Sequence, residues 1–311
     1  MEVNGTPCRK VFSDVILEEA CRNKDIFVVA SDSRGSAKLE EYAEKLPGQF
    51  IEVGIAEQNA VGIGAGLALC NKNVFVCGPA CFYTSRALDQ IRVDVAYTGT
   101  NVKIIGISGG VSYGALGTSH HSLHDIAVMR TFPGMKVYLP ADRYQTEKLT
   151  RYLAKATESA YVRLGRDAVP DVYTSEDPFV PGKANLLAEG DDIAIIATGE
   201  TVFHALGAHN LLKEKGINAR VIDMHTLKPL DTEIIIRAAS ETRHIITVEE
   251  HSIYGGLGAS VAEVVVQNSP VKMRIIGIPD ENLIHARPSE IFKHYGLTSD
   301  NIVNEAIRLL Q

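Results

Sequence analysis

Apolar positions along the chain follow two alternating rhythms. Short β-branched runs, IFVVA (26–30), NVFVCG (73–78), VKIIGIS (102–108), KVYLP (136–140) and YVRLG (161–165), are separated by longer stretches with apolar residues at helical spacing. Strand–helix alternation of this kind predicts an α/β fold with a parallel sheet. The stretch 168–188 breaks the rhythm: it carries Pro170, Pro178 and Pro181 among acidic and small residues, as an interdomain linker does. Beyond it the alternation resumes with DIAIIATG (192–199), a helix around 201–215, NARVIDM (218–224), a helix around 231–239, RHIITVEE (243–250), a helix over about 257–267 and VKMRIIGIP (271–279). The expected organisation is a first domain over 1–170, a linker over 171–188 and a second, smaller α/β domain over 189–311.

Composition narrows the class. With 311 residues, 45% of them apolar, the chain can bury a core in each of two domains, which excludes a disordered chain or a miniprotein scaffold. The 31 basic and 38 acidic side chains give a net charge of −7. Without a Lys/Arg block, no nucleic-acid or anionic-membrane partner is expected. Cys8, Cys21, Cys70, Cys77 and Cys81 form an odd set with no C-x-x-C, so neither a disulfide framework nor a zinc ribbon is indicated and a reducing cytoplasm fits best. The polar start MEVNGTPCRK lacks an apolar leader core, and no apolar run approaches the ~18 residues of a membrane span.

In open parallel sheets ligands gather beyond the carboxyl ends of the strands, and polar residues there carry the candidate chemistry. IEVGIAEQNAVGIGAGLALC (51–70) sets Glu57 at the start of a helix rich in small residues. Locally that is a favourable first-turn carboxylate, and G-I-G-A-G lacks the spacing of a dinucleotide fingerprint. GPACFYTSRALDQIRVDVAY (78–97) holds two adjacent aromatics, Phe82 and Tyr83, and Arg86, which either lines a pocket with them or lies on an exposed helix face. GVSYGALGTSHHSLHD (110–125) places His120 and His124 at i, i+4, the separation of two zinc ligands on one helix face, without the Glu of H-E-x-x-H or a third ligand. YGGLGAS (254–260) could cradle an anion but reads more simply as a close-packed turn, and His244 and His251, near Glu249 and Glu250, read as polar loop residues.

VGIAEQNAVGIGAGLA resembles the segment of the transketolase and deoxyxylulose phosphate synthase family that carries the glutamate activating thiamine diphosphate. The resemblance implies that Glu57 hydrogen-bonds the cofactor pyrimidine away from water, where such a bond is strong. It implies a ring from Phe82 or Tyr83 against that pyrimidine, Arg86 in the same pocket and Asp32, after IFVVA, on the cofactor side. The family's G-x-T-H-Q loop corresponds to Gly117, Thr118, Ser119, His120 and His121, which puts His120 beside the substrate hydroxyls. Two departures stand out: Leu116 replaces the family's acid four residues before that histidine, and His121 replaces its glutamine. Arg9 in CRKVFSDVI, Ser36 in SDSRGS and Arg166 in RLGRDAVP match positions that hold the sugar phosphate, a task suited to the planar guanidinium fork.

The family binds the cofactor diphosphate through Mg²⁺ on a further domain marked by G-D-G and, about 25–30 residues later, N-N. Here the nearest string, EGDD (189–192), opens a strand and has no Asn pair, and no constellation of hard oxygen ligands is evident. The resemblance therefore implies the C-terminal subunit of a split transketolase with no metal site of its own. A partner N-terminal subunit would supply Mg²⁺ and the diphosphate pocket, with two copies of each chain in a heterotetramer. The implied activity is ketol transfer between sugar phosphates, absent from this chain alone. Two other readings stay open: the β-subunit of a 2-oxoacid dehydrogenase, against which Arg9, Ser36, His120 and Arg166 argue, and a noncatalytic assembly subunit, against which an intact Glu57 argues.

Overall fold

The computed structural model describes residues 5–311; residues 1–4, the start of the expected first domain, lie outside it. Six strands come from the first domain: β1 (Ile26–Ala30), β2 (Phe50–Glu52), β3 (Asn73–Pro79), β4 (Val102–Ile107), β5 (Lys136–Tyr138) and β6 (Ala160–Leu164). β3, β4 and β6 are buried along their whole length, which is why they read as near-continuous apolar runs. The one charge among the central β4 positions, Lys103, is fully buried, donating to Asn73 Oδ1 at 2.9 Å and to the Ala156 carbonyl at 2.8 Å. Burial pulls its ammonium down to about 7.

The second domain contributes β7 (Asn185–Ala188), β8 (Ile193–Ala197), β9 (Ala219–Asp223), β10 (Thr226–Lys228), β11 (His244–Ser252) and β12 (Lys272–Ile278). Five of them form a sheet in the order β12-β11-β8-β9-β7, parallel except for the antiparallel edge strand β7. β7 falls inside the segment expected to be linker, so the irregular stretch ends before residue 185. β10 leaves its own domain and pairs antiparallel with β5, completing a seven-stranded sheet in the order β10-β5-β6-β4-β3-β1-β2. Three residues are too few to announce this by periodicity.

The exchange of β10 has a counterpart in the core. One apolar cluster runs from Val29, Val76 and Ile104 of the first sheet to Ile196, Ile222 and Ile245 of the second. At about 1.5–3 kcal/mol for each large aliphatic side chain buried, this shared layer fixes the domains to one another more firmly than a solvated linker would. Separate clusters cover the outer faces, one around Phe12, Phe75 and Val162 and one around Ile195, Val248 and Ile302. The carboxyl ends of β1, β3, β4 and β6 open onto one edge, where Asp32, the helix Ala80–Arg86, the loop 108–124 and Arg166 begin.

Candidate active site

Glu57 opens the helix Glu57–Leu69 and is only 5% exposed. Its Oε1 accepts a hydrogen bond from Arg86 Nη1 at 2.7 Å. Arg86 ends the helix Ala80–Arg86, which starts directly from β3, and its guanidinium carbon stands 3.9 Å from the centre of the Phe82 ring. Phe82 meets the His120 imidazole edge to face at 5.3 Å, and His120 meets Tyr113 at 5.1 Å. The Arg166 guanidinium lies 5.0 Å over Tyr113. Arg9 then donates through Nε to the Arg166 carbonyl at 2.8 Å and through Nη1 to the Ser36 carbonyl at 2.7 Å. Seven of the nine residues singled out in the sequence are thereby brought into one contiguous array.

The other two are placed differently. Tyr83 is fully buried, sharing a hydrogen bond of 2.9 Å with Ser31 Oγ and lying against Gly78, where a Cβ would come within 2.5 Å of the ring. Of the two adjacent aromatics, Phe82 is the one that lines a cavity. Asp32 is exposed in a left-handed conformation (φ 53°), its amide donating to Glu52 Oε1 at 2.7 Å. Among the described residues no hydrogen bond ties its carboxylate to the array.

Charge is unbalanced at the Arg9 end. Burial and the neighbouring Arg166 push the Arg9 guanidinium below its ordinary range, with Asp167, Tyr113 and Glu40 acting weakly the other way. Arg166 Nη1 is buried and has no partner. Two guanidiniums held together with an unused N–H form a site for an anion. At the Glu57 end, a concavity of about 570 Å³ is lined by Ile55, Ala56, Glu57, Gln58, Asn59 and Arg86. A second, of about 350 Å³, lies on the Phe82 side and shares Arg86.

The chain matches known proteins over nearly its whole length. The profile of the transketolase pyrimidine binding domain matches residues 5–171 and that of the transketolase C-terminal domain residues 182–302. The chain belongs to the transketolase family. It is 58% identical, over the full length of both, to an apulose-4-phosphate transketolase subunit of Phocaeicola vulgatus. The corresponding apulose-4-phosphate transketolase subunit of Actinobacillus succinogenes is 37% identical over 92% of each chain. Among solved structures, a split-gene transketolase in an inactive β4 tetramer superposes with a TM-score of 0.91 at 36% identity, covering 98% of this chain and 99% of the other.

Within a transketolase frame, several residues acquire places that sequence reasoning missed. His120 and His124 do not share a helix face: His120 ends the short helix Gly114–Ser119, and His124 precedes the helix Asp125–Thr131, its Nε2 held by Thr84 and Ser85 at 3.1 and 2.9 Å. The zinc spacing was therefore an accident of numbering. Gly117 is in the left-handed region (φ 71°), and a Cβ there would fall 2.4 Å from His285 Nε2 of the second domain. Leu283 from the same segment lines the Phe82 cavity. Nothing in the sequence links positions more than 160 residues apart.

The second domain also corrects the reading of its polar residues. His244 and His251 lie in β11 and not in a loop, and Glu249, Glu250 and His251 are buried there. Glu249 accepts from the amides of Leu257 and Gly258 at 2.6 and 2.8 Å, so the glycine-rich turn cradles a carboxyl supplied by the chain itself. Glu250 accepts from Val111 N at 2.6 Å, and Arg163 lies between it and Asp125. Asp125 accepts from Tyr161 at 2.6 Å. Burial pushes Glu249 up to about 7 and His251 down to about 4, so both tend to be neutral.

Proposed function

We propose that this chain is the C-terminal subunit of a two-chain, thiamine-diphosphate-dependent transketolase that moves a ketol unit between phosphorylated sugars. The observation that carries the reading is the contiguous array from Glu57 to Arg9, which joins the residues suited to the cofactor with those suited to a sugar phosphate. The cofactor end fits a flat heterocycle: the Arg86 guanidinium, a planar N–H donor, already lies over Phe82 while bonded to Glu57. Bound there, thiamine diphosphate supplies the electron sink for carbon–carbon cleavage. Glu57 holds a proton against the pyrimidine ring and Phe82 gives that ring an apolar wall. His120 meets substrate oxygens, and Arg9 and Arg166, with Ser36 beside them, bind the phosphate. Asp32 would approach the cofactor only once a second chain closes over this edge.

Among the described residues no cluster of His, Cys, Asp or Glu could hold a metal ion. Mg²⁺ and the diphosphate pocket fall to an N-terminal partner, in a heterotetramer of two chains of each kind. Ile55, 76% exposed beside the buried Glu57, is the apolar surface such a partner would cover. Five free cysteines fit a reducing cytoplasm, and among the described residues no helix is long and apolar enough to cross a membrane. As to substrate, the names of both relatives favour apulose 4-phosphate, a branched ketose phosphate. The exposed Leu116, in place of the family's acid, agrees with an unusual sugar. The paired arginines disfavour a 2-oxoacid dehydrogenase subunit, whose small substrate carries no phosphate.

Arg166→Ala tests the reading in the complex with its partner. Its kcat/KM for a phosphorylated ketose should fall about 10- to 100-fold, and for the unphosphorylated sugar by much less. Equal losses on both substrates would remove the phosphate assignment.

A further inference from the structure

His121 is the one imidazole of the loop 117–124 that has left the surface. It is 5% exposed, and its Nε2 lies 3.0 Å from the Gly114 carbonyl. A carbonyl oxygen only accepts, so Nε2 carries the hydrogen and Nδ1, on the opposite edge of the ring, presents a lone pair. That Nδ1 is buried and has no partner. Burial and the neighbouring His285 and His120 lower the affinity of the ring for a second proton, with the Gly114 bond acting the other way, so the acceptor persists at neutral pH. The ring lines the cavity of about 350 Å³ together with Phe82, Arg86, Thr118, His124 and Leu283. Phe82 and Arg86 belong to the array described above, so this space opens from the place where reaction is assigned.

A buried acceptor without a donor costs stability unless something supplies one. The supplier that fits a sugar-binding cavity is a hydroxyl. We propose that His121 is a specificity-determining residue of the transketolase site, its Nδ1 accepting a hydrogen bond from a hydroxyl of the ketose phosphate. The inference rests on the proposed function and deepens it. The glutamine of the G-x-T-H-Q loop that this segment resembles would offer a donor and an acceptor from one amide, whereas this tautomer offers an acceptor alone. It selects a hydroxyl and rejects a carbonyl or phosphate oxygen. Leu283 makes the cavity wall apolar on the side of the second domain, which sharpens the cost of a mismatched polar group.

The test uses the complex of this chain with its N-terminal subunit and thiamine diphosphate, as wild type, His121→Gln and His121→Phe. The donor is whichever of apulose 4-phosphate and D-xylulose 5-phosphate the wild type cleaves faster, compared with analogues lacking in turn each hydroxyl except that on C3. The wild type should lose about 100-fold in kcat/KM on one analogue. His121→Phe should be poor on the full substrate and lose almost nothing further on that analogue, while His121→Gln, which keeps an acceptor, retains most of the discrimination. Should the Phe variant fail to assemble, nitrogen NMR of histidine-labelled wild-type complex decides: the Nδ1 resonance of His121 moves upfield when the sugar phosphate binds. Unchanged discrimination in His121→Phe, or an unmoved resonance, overturns the inference while ketol transfer by the wild type upholds the wider reading. A wild-type complex that transfers no ketol from either sugar overturns both.

Discussion

Two polar clusters, one along the open edge of the first sheet and one between the domains, solve opposite problems of charge. Along the open edge, Arg9 and Arg166 lie together with an unused N–H, and Arg86 is, among the described residues, the one cation paired with Glu57. Between the domains, Asp125, Glu249, Glu250 and Glu200 crowd around Arg163, with Arg130 also reaching Glu249. In the first cluster positive charge is in excess beside open concavities, which suits an anion from outside the chain. In the second, negative charge is in excess in the interior, and the balance comes from backbone amides and from protons retained by carboxyls that burial pushes up. Both are rich in titratable residues; the direction of the imbalance and the access of solvent separate binding from assembly.

The largest effect is expected where the edge cluster meets the cofactor. Glu57→Gln should lower turnover of the assembled enzyme by about 10²–10⁴-fold and leave the midpoint of thermal unfolding of the isolated chain nearly unchanged. A Glu57 variant that unfolds early would put Glu57 with the structural cluster. Arg163→Met should do the reverse. Removing the cation that lies between Asp125 and Glu250 costs about 3–5 kcal/mol, read in denaturant unfolding, and it should loosen the two domains together because one apolar core joins them.

A smaller effect separates the clusters by pH. Glu200, Glu249, Glu250 and Asp223 are raised by burial, so the folded chain holds their protons above the ordinary carboxylate range. Stability from that source is complete at low pH and is lost as pH rises through about 7. His121, His204, His225 and His251 are lowered by burial, so the unfolded chain binds their protons first and stability is lost as pH falls below about 6.5. The two sets offset one another between about pH 4.5 and 6.5. Above that only the carboxyls change, with Lys103 opposing by a single group. Thermal unfolding should therefore be nearly flat from pH 5 to 6.5 and fall by a few degrees by pH 8. A rise over the last interval would mean that the interdomain carboxyls are ionised in the fold.

Much of the edge cluster was legible in the chain because its residues follow the carboxyl ends of strands whose apolar runs are unmistakable: Phe82 after β3, His120 after β4 and Arg166 after β6. The small-residue helix behind Glu57 was equally plain. The interdomain cluster was not. His251 looks like a loop residue because it follows two carboxyls, and three polar residues in a row contradict a buried strand; the facing Val111, Leu257 and Gly258 amides make the burial of Glu249 and Glu250 possible. Lys103 was hidden in the same way inside an apolar run. β7 and β10 were too short to show a period, and the approach of Leu283 and His285 to the histidine loop is a product of domain packing that no local pattern encodes.

The central claim is that the edge cluster is half of an active site completed by another chain. The most direct test measures ketol transfer from apulose 4-phosphate and D-xylulose 5-phosphate, with thiamine diphosphate and Mg²⁺ present, by this chain alone, by the chain combined with its N-terminal subunit, and by that combination carrying Glu57→Gln. The account predicts no transfer by the chain alone, transfer by the pair, and loss of it with the substitution. Transfer by the isolated chain, or full activity of the pair without the Glu57 carboxylate, would contradict it.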